Sequence, residues 1–188
     1  MLVEADATIL RMPTTVTLRP ITEAELPILE EHYAYPGGAS DFGFYGYKSG
    51  HGLRKSFAEN GLLADNQGTL AVAVDGGAVG SVSWHRVGTG PVSFTWNIGI
   101  ALLADARGKG YGTAAQRALV EYLFGYTQAQ RVEAHTETEN LAEQRALEKA
   151  GFTREGVVRG AAFRAGRWRD MVAYSVVRTD LQAEQVDP

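Results

Sequence analysis

The segment Arg107-Gly-Lys-Gly-Tyr-Gly-Thr113 puts glycine at every second position between an alternating apolar strand and an amphipathic helix. No other stretch limits the fold so tightly. A strand that turns at once into a helix belongs to a mixed α/β architecture. Glycines at alternate positions leave one side of the turn bare, so that amide N–H groups can converge on an anion. The positive end of the following helix adds to the same spot, and Arg107 and Lys109 stand beside it. A pyrophosphate is the natural guest. A P-loop needs Ser or Thr directly after Gly-Lys, whereas Gly110 follows Lys109. A dinucleotide fingerprint needs its third glycine one residue beyond Gly112, and an acidic residue about 20 residues on. A tight turn without a ligand is the other reading open at this point.

Around this turn the chain alternates between elements. Residues 16–19 read as a strand that stops at Pro20, and Thr22 caps a helix carrying Leu26, Ile28 and Leu29, then His32 and Tyr33. From Tyr33 to Asn60 the periodicity breaks into Gly- and aromatic-rich sequence, with a short helix over 52–59. A stretch that long inside a compact domain usually builds a binding surface. Apolar runs over 69–75 and 78–84 flank Gly76-Gly77 and predict a hairpin. A strand over 92–102 places Phe94, Trp96, Ile98, Ile100 and Leu102 on one face. The helix after the turn spans 112–124, with Ala115, Leu119, Tyr122 and Leu123 inward. A strand over 131–136 follows, then a helix over 141–150, capped by Asn140 and stopped by Gly151, with Ala142, Ala146, Leu147 and Ala150 inward. Strands over 152–158 and 168–177 close the chain. Trp84, Trp96 and Trp168 fall at strand positions, where core packing is the default. The division expected is an extension over 1–15, one domain over 16–181, and a tail over 182–188.

Composition narrows the function. At 188 residues the chain holds one domain with a real core. A net charge of -4 argues against nucleic acid as the main partner. The lack of cysteine excludes a disulfide framework, a thiolate metal site and a cysteine nucleophile, and suits a reducing cytoplasm. The first ten residues include Glu4 and Asp6, unlike a secretory signal. No run reaches the roughly 18 apolar residues of a membrane helix. His32, His51 and His85 have no ligand spacing, so no metal is expected.

Taken together, these motifs resemble the GNAT acetyltransferase superfamily, and within it the ribosomal-protein N-terminal alanine acetyltransferases. Arg107, Gly110 and Gly112 match its pyrophosphate motif, with Gly108, Lys109, Tyr111 and Thr113 as common fillers. Trp96-Asn-Ile-Gly-Ile100 sits where the family's splayed fourth strand runs, and Asn140 and Glu148-Lys-Ala-Gly-Phe152 follow at family spacing. The resemblance covers residues 16–181. It implies an α/β (α+β) fold with a mixed, mostly antiparallel sheet of six to seven strands and about four helices. It implies acetyl-CoA as donor, an amine acceptor, and transfer without a covalent enzyme intermediate, by a monomer or homodimer. The pantetheine would pair with the backbone of Ile98, Gly99, Ile100, Ala101 and Leu102, and an N–H of Ala101 or Leu102 would hold the oxyanion. Asn140 would contact the pantetheine, cap its helix, or do both.

The acid and base depart from the family pattern. Leu147 stands where many relatives carry a tyrosine, Asn97 where some carry a glutamate, and Glu143 where the subfamily often has serine or alanine. The candidates are Glu133 and His135, which share one strand face with Glu137, and Glu143 on the next helix. Each has a plainer reading, as a half-buried strand residue or a surface carboxylate. In this fold the region after the first strand borders the acceptor pocket. Tyr33, Phe44, Tyr45 and Tyr47, with Trp96, would line it, or the loop aromatics would simply bury their own segment. The leading expectation is an amine N-acetyltransferase. The competing ones are a catalytically weak acyl-CoA-binding module, acting through binding or interaction, and a kinase-like nucleotide loop.

Overall fold

The computed structural model describes residues 15–34 and 40–183, without the side chains of 32–34 and 181–183. The expected extension and tail therefore lie almost entirely outside the described residues. The strands are β1 (Val16–Pro20), β2 (Leu63–Ala64), β3 (Gln67–Val74), β4 (Gly77–Gly88), β5 (Phe94–Leu102), β6 (Arg131–Glu137), β7 (Thr153–Arg164) and β8 (Arg167–Val177). The helices are α1 (Leu26–Ala34), α2 (Gly50–Asn60), α3 (Tyr111–Tyr126), α4 (Leu141–Lys149) and α5 (Arg178–Ala183). One sheet runs β1-β3-β4-β5-β6-β8-β7, with the short β2 paired to β3. Among the described residues none of the helices is long and apolar enough to cross a membrane.

β3 shows why this sheet is covered on both sides. Leu70 to Val74 are all buried, at successive rather than alternate positions. Leu70 and Val72 pack with Ala115, Leu119 and Leu123 of α3, while Ala71 packs with Leu26 and Leu29 of α1 and with Leu53 and Phe57 of α2. A continuous apolar run is the signature of a strand covered on both faces. Two-residue turns close the hairpins on either side of the molecule. Asp75 and Gly76 have φ of 51° and 84°, and Ala165 and Gly166 have φ of 50° and 80°, the pattern of type I′ turns, which suit the right-handed twist. The first turn is thus Asp75-Gly76, one residue earlier than expected, and Gly77 already belongs to β4.

Three other expectations are corrected. The helix α3 buries Gln116, Val120 and Phe124 together with Ala115, Leu119 and Leu123; Tyr122 instead leans out over Trp84, ring centroids 5.7 Å apart. β7 continues to Arg164, because bulges between Arg154 and Gly156 and between Val158 and Ala162 let it stay paired to β8 where its alternation fails. Asp170 anchors the second irregularity by accepting from the Gly160 N–H at 2.8 Å. Trp168 is 67% exposed and lies edge-to-face with Phe163 on the hairpin surface, not in the core.

The junction of β5 and β6 positions the site. All other neighbours in the sheet are antiparallel; these two are parallel and pair at only three positions, Trp96 with Val132, Asn97 with Glu133 and Ile98 with Ala134. Beyond Ile98 the strand continues to Leu102 against β4 alone. Residues 99–102 therefore present a backbone edge toward an opening, and they run straight into the glycine turn.

Candidate active site

A cleft of about 800 Å³ opens at this split. The turn forms one end. A 3₁₀ turn, Ala104–Ala106, brings the chain off β5, and the Arg107 Nε donates to the Leu102 carbonyl at 3.0 Å. Gly108 and Gly110 have φ of 72° and 83°, and a Cβ on either would meet nothing within 4 Å. Glycine is needed there for the backbone conformation, and the space beside it stays open. Gly110 is the N-cap of α3 and offers no side-chain cap, and no acid stands in the first turn. The leading N–H groups of the helix have no intrahelical acceptor, so they favour an anion. The lining includes Ile98, Gly99, Ile100, Ala101, Leu102, Arg107, Gly108, Gly110, Gly112 and Thr113. Lys109 is exposed beside the turn and Tyr111 is half-buried, both outside the lining.

The wall opposite comes from α4. Asn140 Oδ1 accepts from the Glu143 N–H, while its Nδ2 donates to Thr136 Oγ1 at 3.0 Å. This one side chain both caps the helix and ties it to β6. Ala142, Glu143, Arg145, Ala146 and Lys149 face the cleft, so Ala142 and Ala146 are not inward as expected; Leu147, fully buried, is. Burial pushes the Glu143 carboxyl up to about 7. The Gln116 amide from α3 offsets part of that shift, yet lies outside regular hydrogen-bond geometry: neither of its polar atoms has a partner.

The other face of β6 forms the far end. Val132 and Ala134 belong to the core, so Glu133, His135 and Glu137 point the opposite way. Only His135 and Glu137 reach the cleft. Glu133 turns aside to Arg131, at 3.6 Å. The Asn97 Nδ2 lies 3.0 Å from His135 Nδ1. With the amide oriented this way it donates, so a neutral imidazole carries its proton on Nε2. Glu137 is buried between Arg164 and Arg169, and its carboxyl is held below the usual range, first by the Arg164 hydrogen bonds and against the pull of burial.

The aromatic segment divides. Phe42 and Tyr45 line the cleft beside Asp41. The Tyr45 hydroxyl is raised by burial and by the nearby Glu137 charge, with Arg164 opposing. Phe44 and Tyr47 stack edge-to-face, centroids 5.3 Å apart, outside the lining. Trp96 is also excluded: it is 4% exposed, and its Nε1 donates to Thr127 Oγ1 at the end of α3. The Tyr33 side chain lies outside the described residues. Sequence reasoning missed Gln116, Arg145, Lys149 and Arg164. The i, i+4 spacing of Arg145 and Lys149, with Ala142 and Ala146 on the same face, was a usable signal. Among the described residues no group of three or more His, Asp and Glu could hold a metal.

Known proteins resemble this chain to different extents. The family model of the acetyltransferase (GNAT) domain matches residues 15–153. YjcK of Bacillus subtilis (strain 168), provisionally named an N-acetyltransferase, is 33% identical over 111 residues, or 59% of this chain. The chain spans about three fifths of that relative's length, 61%. YdaF of the same strain, provisionally named a ribosomal N-acetyltransferase, is 29% identical over 133 residues, 70% of this chain and 68% of its own. Among solved structures, AAC(6')-Ib in complex with paromomycin and acetyl-CoA is similar with a TM-score of 0.72 and 22% identity, covering 93% of this chain and 99% of that one. At that identity the likeness is one of fold.

Proposed function

The chain belongs to the acetyltransferase (GNAT) family, and from that premise we propose that it moves an acetyl group from acetyl-CoA to a primary amine. The amine belongs to a small molecule or to a protein N-terminus. One observation carries the reading: the unpaired backbone edge of residues 99–102 leads directly into an uncapped helix start framed by two left-handed glycines. An extended amide-bearing arm fits the edge as an added strand, and a pyrophosphate fits the turn. Arg107 and Lys109 from the turn, and Arg145 and Lys149 from α4, supply the positive charge that a phosphorylated donor requires.

Bound there, acetyl-CoA supplies an electrophilic thioester carbonyl. The edge N–H groups of β5, Ala101 or Leu102 foremost, hold the oxygen on which charge develops. The amine attacks as the free base, its surplus proton leaving through water. As the carbon–sulfur bond breaks, the neutral Glu143 carboxyl gives its proton to the sulfur and recovers one from solvent. His135, with Nδ1 engaged by Asn97, presents a donor at Nε2 and so holds the acceptor rather than deprotonating it. Glu137, fixed between two arginines, is no base either. Holding both reactants in one cleft supplies much of the rate.

The test is release of CoA thiol, with mass detection of acetylated product, across three acceptor classes: an Ala-initiated peptide, an aminoglycoside and a linear polyamine. Product from at least one class is expected. Tight CoA binding with no acetylated product from any class would overturn transfer in favour of an acyl-CoA-binding module.

A further inference from the structure

Gln116 is an anomaly of the core. It is 1% exposed, surrounded on α3 by Ala115, Leu119 and Val120, and both Nε2 and Oε1 lack a hydrogen-bond partner. A buried polar group left unpaired costs roughly 1–3 kcal/mol, and native structures rarely keep one without a reason. An apolar side chain would pack there at no such cost. The amide nevertheless borders the cleft, one helical turn past Gly112 and Thr113 and across from Glu143.

We infer that Gln116 is a donor-binding residue whose side-chain amide pairs with the pantetheine arm of the cofactor, an inference that rests on the acetyl-CoA reading above. The chemistry of the two orphaned atoms selects the ligand group. Nε2 needs an acceptor and Oε1 needs a donor. A phosphate or a thioester carbonyl offers acceptors only and would leave Oε1 unpaired. An ammonium offers donors only and would leave Nε2 unpaired. The pantetheine arm carries two secondary amides, each with a carbonyl and an N–H, and it is the part of the donor that runs between the pyrophosphate and the thioester. Gln116 occupies that interval, between the glycine turn at one end and Glu143 at the other. The added-strand contacts of β5 read the arm from one side; Gln116 reads it from the α3 side.

The test compares wild type with Gln116→Met, a change of similar size that removes both polar atoms. Two probes are titrated by calorimetry: CoA, and adenosine 3′,5′-bisphosphate, which keeps the nucleotide end and lacks the arm. The variant should lose both hydrogen bonds and bind CoA at least about tenfold more weakly, and bind the bisphosphate unchanged. Its ligand-free melting temperature should be unchanged or higher, since two unpaired buried atoms are gone. In wild type, the Gln116 side-chain NH₂ resonances should shift with CoA and stay put with the bisphosphate. Unchanged CoA affinity, equal weakening toward both probes, or a lower ligand-free melting temperature would overturn the assignment; the last would make Gln116 a structural partner of Glu143. Wild type that binds neither probe overturns the acetyl-CoA reading itself.

Discussion

Arg164, at the far end of β7, grips Glu137 with two nitrogens, Nη2 donating to Oε2 at 2.8 Å and Nε to Oε1. Its remaining nitrogen, Nη1, donates to the Asp41 carbonyl at 2.5 Å, and its guanidinium lies 5.5 Å from the centre of the Phe42 ring. One cation thus joins the end of β6 to the segment that carries Tyr45. With Glu137 only 3% exposed, neither charge has water to fall back on.

Arg164→Ala should therefore lose about 1–3 kcal/mol of stability, since Glu137 loses its hydrogen-bonded partner but keeps Arg169 at 3.9 Å. It should raise the acceptor KM more than the acetyl-CoA KM, and Arg164→Lys should restore part of the stability but less of the KM. The pH dependence has a definite sign. The Glu137 carboxyl lies below its ordinary value of 4.5 when folded, so its stabilisation is present above that value and disappears as pH falls through the lowered one. Denaturant titrations across the acid range should show that loss in wild type and a flatter profile in Arg164→Ala.

Tyr45 and Tyr47 separate a site role from a surface role. Tyr45→Ala should raise the acceptor KM by about tenfold, or 1.4 kcal/mol, with little change for acetyl-CoA. Tyr47→Ala, outside the cleft and 77% exposed, should change neither. Equal effects of the two substitutions on the acceptor KM would count against Tyr45 as part of the acceptor wall.

Glu143 gives the opposite pH signature to Glu137. Its carboxyl is raised from 4.5 to about 7 in the folded chain. Between those values the folded protein holds a proton that the unfolded chain has released, so stability falls as pH climbs through the window and levels off above it. Glu143→Gln should abolish that slope and leave the protein more stable than wild type at alkaline pH. If the carboxyl donates its proton to sulfur, turnover in wild type should decline above about 7. The Gln variant should turn over about 10²-fold more slowly, without that limb.

A Cβ at Gly110 meets nothing within 4 Å, but φ of 83° makes Gly110→Val strained by roughly 1–2 kcal/mol. Its CoA affinity should collapse, because the new side chain occupies the space beside the turn. Gly125→Ala is the matching control within α3: the position is open and helical. That change should raise stability by up to about 1 kcal/mol and leave CoA binding alone, as paired melting and calorimetry experiments would show.

Leu147 makes the last prediction and shows how far the sequence could be read. Its place in the Asn140 to Phe152 pattern identified the position where relatives carry a tyrosine, but the helix phase turns it into the core, 0% exposed. Leu147→Ala should cost about 2–5 kcal/mol in stability and leave the kcat of the folded fraction near wild type.

What was legible was local. The glycine turn, the Asn140 cap, the α4 stop at Gly151 and the alternation along β5 each depend on neighbours in sequence. What was hidden depends on distant partners. Trp96 satisfies its strand pattern equally well in a core or a pocket, and its bond to Thr127, just past the end of α3, decides it. Arg164 carries no sequence signal of its own, and only the bulged path of β7 brings it to Glu137. Gln116 lies on a buried face of α3 that is wider than the spacing of Ala115, Leu119 and Leu123 indicates.

The open edge of β5 has a consequence for how such a protein can diversify. On the proposed function the donor would be met there mainly by peptide groups, which every residue possesses, so that half of the chemistry would be inherited with the backbone path. Side chains along residues 99–102 can drift without erasing it. The proposed acceptor wall is built the other way, from side chains on a segment that Arg164 ties down from a hairpin tip. A new amine can be admitted by changing that wall alone, while the donor half stays as it was.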